Sequence, residues 1–405
     1  MKRVLTEYSV NDNSGGRMKK HYLIRFLTLV TALALMISAA HAGEEDVMEQ
    51  IAKMTLKEKV GQLFMIRPDA LEGRFSPAEL EDNSILGTIA VTDEMRAVYA
   101  EYPCGGFTLF RKNITDPAQL LELTEALHGL GNIRPILSID EEGGRVARLG
   151  NHPAFNVPKI LAMQVLAASR KPERAFEAGN TIGGYLRNYG LDLDFAPVAD
   201  VNTNPRNPVI GDRAFGSKPK IAAQMVAAYL NGLHSQGVAG CIKHFPGHGD
   251  TSTDTHTGYA ETLKTWDELK ACEMLPFIAG IEAGADLVMT AHIAAPNITG
   301  SSEPSTVSYT ILTEKLRGEL GYDGIIITDA LSMGAITQAY APGEVCVRCL
   351  QAGVDILLMP LGYQDAFRAV IAAVEQGEIS EARIDESVRR ILTFKQQMAN
   401  RSVSR

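Results

Sequence analysis

The stretch Lys243–Gly258, KHFPGHGDTSTDTHTG, concentrates side chains able to do chemistry. Lys243, His244, His248 and His256 supply cationic or imidazole groups, and Asp250 and Asp254 supply carboxylates. Three kinds of site fit them. A polar turn with solvated histidines is the plainest, although such a density of titratable groups is unusual there. A metal centre could draw on His244, His248, Asp250 and His256, because imidazole and carboxylate are good ligands. The helical HExxH spacing and a CxxC pair beside the histidines are both missing, however. Acid/base catalysis is the third. In Asp254-Thr255-His256 a carboxylate and an imidazole flank one residue, so an extended backbone points both the same way. A carboxylate beside an imidazole fixes its tautomer and stabilises the imidazolium.

Such groups need a frame. The apolar run Val238–Ile242 reads as a buried strand, and the Pro-, Gly-, Thr- and Ser-rich composition after Phe245 reads as a loop. Lys243 and His244 then sit at a strand end. Gly247–Gly258, with no apolar anchor, is expected to be mobile. The same unit recurs along the chain. Thr55-Leu56-Lys57-Glu58 is a capping box, opening a helix expected to run through Ile66. Asp116-Pro117 starts another helix. Gly105–Phe110, Pro135–Ile139 and Leu193–Val198 read as strands. Helices ending at Gly237, Gly284, Gly321 and Gly353, each a left-handed cap, precede Val238–Ile242, Asp286–Thr290, Gly324–Thr328 and Asp355–Met359.

Strands apolar on both faces belong in a parallel sheet covered by helices. Polar groups recur just past the strand ends: Asp140, Asp200, Lys243-His244, His292 and Asp329. Function gathered at carboxyl ends of strands is the pattern of a barrel. The expected fold is therefore α/β, a single-domain (β/α)8 TIM-like barrel over residues 43–405. An open doubly wound sheet is the alternative, but its Gly-rich fingerprint is missing.

Composition narrows the class. Of 405 residues 45% are hydrophobic and 21% charged, which is ordinary for a soluble globular protein. The net charge of −9, without basic blocks beyond the leader, argues against a nucleic-acid partner. Residues 1–42 read as a leader and secretory signal. Met18-Lys19-Lys20 begins a basic region, Phe26–Ile37 is a short apolar run, and Ala40-His41-Ala42 is a small-x-small cleavage site. The polar residues 1–17 precede that region, which fits a start at Met18. The apolar run is short for a membrane span, so no stable membrane insertion is expected after its removal, and the location is periplasmic or secreted. Five cysteines cannot all pair within the chain. Cys346 and Cys349 have CxxC spacing; buried or idle thiols are the preferred reading for all five.

KHFPGHGDT followed by DTH resembles the signature of the β-N-acetylglucosaminidase branch of glycoside hydrolase family 3. SIDEEGGRVARL from Ser138, DFAPVADVNTNPRNPVIGDRAFG from Asp194 and IIITDALSM from Ile325 resemble its other motifs, in the same order. The resemblance covers essentially all of the chain from Glu44. It implies that Asp329 is the nucleophile, and that His256, paired with Asp254, is the general acid/base. It further implies that Asp140, Arg148, Arg213, Lys243 and His244 bind the nonreducing sugar. Independently, a carboxylate such as Asp140 can accept from two vicinal hydroxyls, and an ionised Asp329 after the strand Ile325–Thr328 is costly unless used or paired. Asp200 and Asn202 are expected to brace the barrel top, and His292 to hydrogen-bond within it.

The expected activity is a retaining exo-β-N-acetylglucosaminidase with a carbohydrate substrate, acting as a monomer. No cofactor or metal is called for, since a nucleophile and a proton donor cover both steps. Ala330 stands where the family often has an acidic residue. Many Gram-negative wall-recycling members are cytoplasmic, whereas this chain carries an export signal, which leaves the leaving-group sugar open between muropeptide and chitin type. The rivals are a β-glucosidase or a glycoside phosphorylase of the same family and, outside catalysis, a carbohydrate-binding protein.

Overall fold

The computed structural model describes residues 43–252 and 260–403; the leader and the Asp254/His256 pair lie outside them. The chain divides into two compact units, Met1–Lys53 and Met54–Arg405. In the first, residues 43–53 are helical. The second contains the elements described below.

Its centre is a ring of parallel strands: β1 (Phe64–Ile66), β2 (Gly106–Leu109), β3 (Ile136–Ile139), β4 (Leu193–Asp194), β5 (Ala239–Phe245), β6 (Leu287–Thr290), β7 (Ile325–Thr328) and β8 (Leu357–Leu358). Hydrogen-bonded neighbours run in chain order from β1 to β7, with β8 beside β1. A parallel bridge between Ile327 and Ile356 joins β7 to the approach of β8 and closes the ring. The strands are buried throughout, as strands covered by helices must be. The principal helices after each strand are α1 (Asp93–Glu101), α2 (Pro117–His128), α3 (Pro172–Asn188), α4 (Pro219–Ser235), α5 (Met274–Glu282), α6 (Thr310–Glu319), α7 (Pro342–Ala352) and α8 (Tyr363–Glu375). The expected (β/α)8 barrel is therefore the observed one.

Local signals act where the sequence puts them. Thr55 and Glu58 form a reciprocal capping box, and Asp116 accepts from the amides of Ala118 and Gln119 ahead of Pro117. Gly353 caps α7 with φ +112°, a conformation that costs a residue with a Cβ.

Three expectations need correction. The first helix does not reach Ile66: it stops at Gln62, and Phe64–Ile66 is β1. The run Leu63–Ile66 is apolar at every position, so its pattern suits a buried strand as well as a helix. Pairing of Met65 with Gly106 and of Phe64 with Leu357 decides for the strand. Second, β5 continues to Phe245, so Lys243 and His244 lie within the strand. A ladder irregularity between Ile242 and Phe245 marks the place, and a bulge re-aims side chains where pairing shifts. Third, the first part of Gly247–Gly258 has polar anchors where the sequence offers no apolar one. His248 and Thr251 are each 2% exposed. Asn207 Nδ2 donates to the His248 and Thr251 carbonyls at 2.8 and 3.0 Å, and Asn204 Nδ2 to Thr251 O at 3.0 Å. The anchor is polar and comes from residues some forty positions upstream, so a search for apolar anchors passes over it. The rest of that loop falls largely outside the described residues.

Candidate active site

A cavity of about 350 Å³ opens at the carboxyl ends of the strands, within the range of small-molecule sites. Asp140, Arg148, Arg213, Lys243, His244 and Asp329 all line it. They arrive from the ends of β3, β5 and β7 and from the loops after β3 and β4. The barrel thus brings together six of the eight residues singled out in the sequence. Asp254 and His256 lie outside the described residues.

The acidic ribbon after β3 organises one side. Lys243 Nζ reaches Asp140 Oδ1 at 2.8 Å and Glu142 Oε1 at 2.7 Å. Arg213 grips Glu142 with Nε at 2.8 Å and Nη2 at 2.7 Å, a bidentate fork that fixes the guanidinium plane. Arg148 Nη2 takes the other oxygen of Asp140 at 3.2 Å. Burial by itself would raise both carboxyls. Lys243 and then Arg148 overcome it at Asp140, which lies well below the usual carboxylate range. Arg213 and then Lys243 do the same at Glu142, held at about 2. Burial works against the Lys243 ammonium, but Asp140 and Glu142 keep it protonated. The result is a fixed array of charged acceptors and donors, suited to a ligand rich in hydroxyl groups.

A second network orders the imidazoles. Asp200 Oδ2 meets His244 Nδ1 at 2.7 Å, and its Oδ1 accepts from the His248 amide at 2.6 Å. A carboxylate accepts only, so His244 Nδ1 carries a proton and its Nε2 is turned toward Arg213, 3.5 Å away. Burial opposes the Asp200 charge, and His244 then holds its carboxyl below the ordinary value. Thr251 Oγ1 lies 2.8 Å from His248 Nδ1. Burial pushes the His248 imidazole below its ordinary value, against the neighbouring Asp200 carboxylate.

Asp329 follows directly on β7. Its amide donates to Thr290 O at 3.0 Å, and its Oδ1 accepts from the Ala330 amide at 2.7 Å. His292 lies beside it with Nε2 2.9 Å from Ala330 O and Nδ1 2.8 Å from Thr306 Oγ1, so it hydrogen-bonds within the barrel top. Phe110, Met289, Met333 and Met359 supply apolar wall. Arg67 stacks on Phe110, 4.1 Å from the ring centroid. Met359 holds φ +50°, a conformation costing an ordinary residue about 1 kcal/mol or more.

Three contributors escaped the sequence reading. Glu142, which unites Lys243 and Arg213, lies two residues from Asp140, and the run Asp-Glu-Glu was the available signal. Arg67 and Phe110 carried none, because an Arg and a Phe after short apolar runs are commonplace. Asp200 was read as a brace and is one, through His244.

Residues 55–394 match the family described as "Glycosyl hydrolase family 3 N terminal domain", and the chain belongs to that family. Among curated relatives it is 32% identical to "Beta-hexosaminidase A" of Pseudoalteromonas piscicida, over 91% of this chain and 64% of that protein. It is 36% identical to "Beta-hexosaminidase" of Xanthomonas oryzae pv. oryzae, over 63% of this chain and 75% of that protein. A solved glycoside hydrolase family 3 β-N-acetylglucosaminidase from Paenibacillus superposes with a TM-score of 0.77 at 38% identity, covering 85% of this chain and 63% of that one. The chain thus spans less than two thirds of the length of two of these proteins.

Proposed function

We propose that this protein is a retaining exo-β-N-acetylglucosaminidase that removes terminal β-linked N-acetylglucosamine from peptidoglycan fragments or chitin-type oligosaccharides. One observation carries the reading. Asp329, directly after β7, and Asp140, Lys243 and Arg213, which Glu142 ties together from behind, face the same cavity of about 350 Å³. Strands β3 and β7 lie four apart in a ring of eight, so a sugar held by the network is presented to Asp329 across the barrel mouth. The names of the relatives support an N-acetylated sugar.

In this reading the Asp329 carboxylate attacks the anomeric carbon as the glycosidic oxygen leaves with a proton from His256. The glycosyl–aspartate ester is then cleaved by water, which gives its proton back to His256. Retaining hydrolases commonly use two carboxyl groups roughly 5 Å apart; here an imidazole oriented by Asp254 replaces one. With the leader read at 1–42, the monomeric enzyme works in the periplasm or outside the cell.

A 5-fluoro N-acetylglucosaminyl fluoride tests the assignment. It is expected to leave one sugar on the peptide containing Asp329, and Asp329→Ala is expected to abolish both labelling and turnover of aryl N-acetylglucosaminides. Turnover at the wild-type rate in Asp329→Ala refutes the nucleophile. A sugar 1-phosphate formed on adding inorganic phosphate would replace hydrolysis by phosphorolysis.

A further inference from the structure

Behind the acidic ribbon lies a second carboxyl pair that the proposed chemistry does not use. Glu141 and Asp194 are both 0% exposed. Glu141 is well supplied with donors: the Leu149 and Gly150 amides at 2.8 and 2.7 Å and the Tyr185 hydroxyl at 2.8 Å. Asp194, the last residue of β4, is not. Its Oδ1 accepts from the Glu141 amide at 2.9 Å, while its Oδ2 is enclosed and meets no donor among the described residues. The charged and titratable groups around it are Asp140 and Glu141 from the ribbon, Lys243 from β5, Tyr185 from α3 and Tyr229 from α4. Lys243 is already held by Asp140 and Glu142, and Tyr229 donates to the Glu141 carbonyl at 3.3 Å.

Donor count decides which of the pair is charged. A carboxylate accepting three hydrogen bonds is stable when buried, whereas one with a buried oxygen that no protein donor reaches is not. A neutral carboxyl with the same bare oxygen costs far less. We infer that Asp194 is a neutral carboxylic acid in the folded protein and a positioning residue for the ribbon, holding the Glu141 amide so that Asp140 and Glu142 on either side can share Lys243. The direction of its titration agrees: burial raises the Asp194 carboxyl well above its ordinary value, the Glu141 amide opposes this and the Glu141 carboxylate adds to it; burial also raises Glu141, but there the amide and hydroxyl donors oppose it.

The inference concerns the site proposed above, but its first test needs no turnover. At pH 7 the infrared spectrum of the wild-type protein is expected to contain the C=O stretch of a protonated carboxyl, and Asp194→Asn is expected to lose it. Absence of that band from wild type, or its survival in Asp194→Asn, overturns the assignment. The positioning role is read by kinetics on an aryl N-acetylglucosaminide. Asp194→Ala removes the acceptor of the Glu141 amide and is expected to lower kcat/KM about tenfold or more. Asp194→Asn keeps a neutral acceptor and is expected to recover most of that loss, with the acid limb of its pH profile unmoved. An acid limb that shifts in Asp194→Asn means that a charge has been removed and refutes the neutral acid. Equal loss in both variants refutes the positioning role. If Asp194→Ala does not fold, the infrared band and the Asp194→Asn profile still decide. A wild-type protein inactive on the parent glycoside defeats the proposed function, and the infrared result then stands apart from it.

Discussion

Glu142→Gln is the perturbation with the best-defined consequence. Glutamine keeps the shape and one acceptor oxygen but removes the charge that Arg213 and Lys243 share at 2.7–2.8 Å. Removing one partner from a buried ion pair costs about 3–5 kcal/mol, because the remaining charges stay buried. A second route gives a similar figure. Glu142 is held at about 2 against an ordinary 4.5, which corresponds to roughly 3 kcal/mol of preference for the ionised form in the folded state. Its folded value is depressed, so this stabilisation is fully present above pH 4.5 and is lost as pH falls toward 2. The variant should therefore be less stable by about 3 kcal/mol at pH 7, and by only about half that near pH 3. Urea unfolding at the two pH values measures the difference. Its kcat/KM on an aryl N-acetylglucosaminide should fall by about 10- to 100-fold as Lys243 and Arg213 lose their anchor. A deficit that is the same at both pH values, or smaller than about 1 kcal/mol at pH 7, would refute the argument that Glu142 is the ionised hub of the site.

Asp200→Asn should release the Nδ1 proton of His244 from its fixed place and lower kcat/KM about tenfold or more; a pH profile identical to wild type would show that the His244 tautomer is immaterial. His256→Ala should slow oligosaccharides, which have poor leaving groups, far more than activated aryl glycosides, which need little proton donation. Equal loss on both classes would move the acid/base role elsewhere. All five cysteines are free thiols, and only Cys272 has partial exposure. A thiol reagent should therefore titrate at most one group in the native protein and five in denaturant, and a reductant should leave the melting temperature unchanged.

Much of this protein was legible in its sequence for a physical reason: its strands are short apolar runs punctuated by glycines that take positive φ at helix ends, as Gly237, Gly284, Gly321 and Gly353 do. Such signals are local, and so is the placing of a polar residue at the end of an apolar run, which marked Asp140, Lys243-His244 and Asp329. The sequence therefore determined the barrel class and six of the charged and imidazole groups that line the cavity. It failed where two local patterns were equally good, as at Leu63–Ile66, where only pairing with β2 and β8 selects a strand. It also failed where a residue's role depends on partners far along the chain. Glu142 is one more surface-like glutamate until the ring brings Arg213 and Lys243 within 2.8 Å of it, and Thr251 is one more loop threonine until Asn204 and Asn207 hold it. Which carboxyls are charged could be decided only in three dimensions, because that depends on how many donors reach each oxygen once water is excluded. Glu141 is reached by three and Asp194 by one, although the sequence presents both as acidic residues beside an apolar strand.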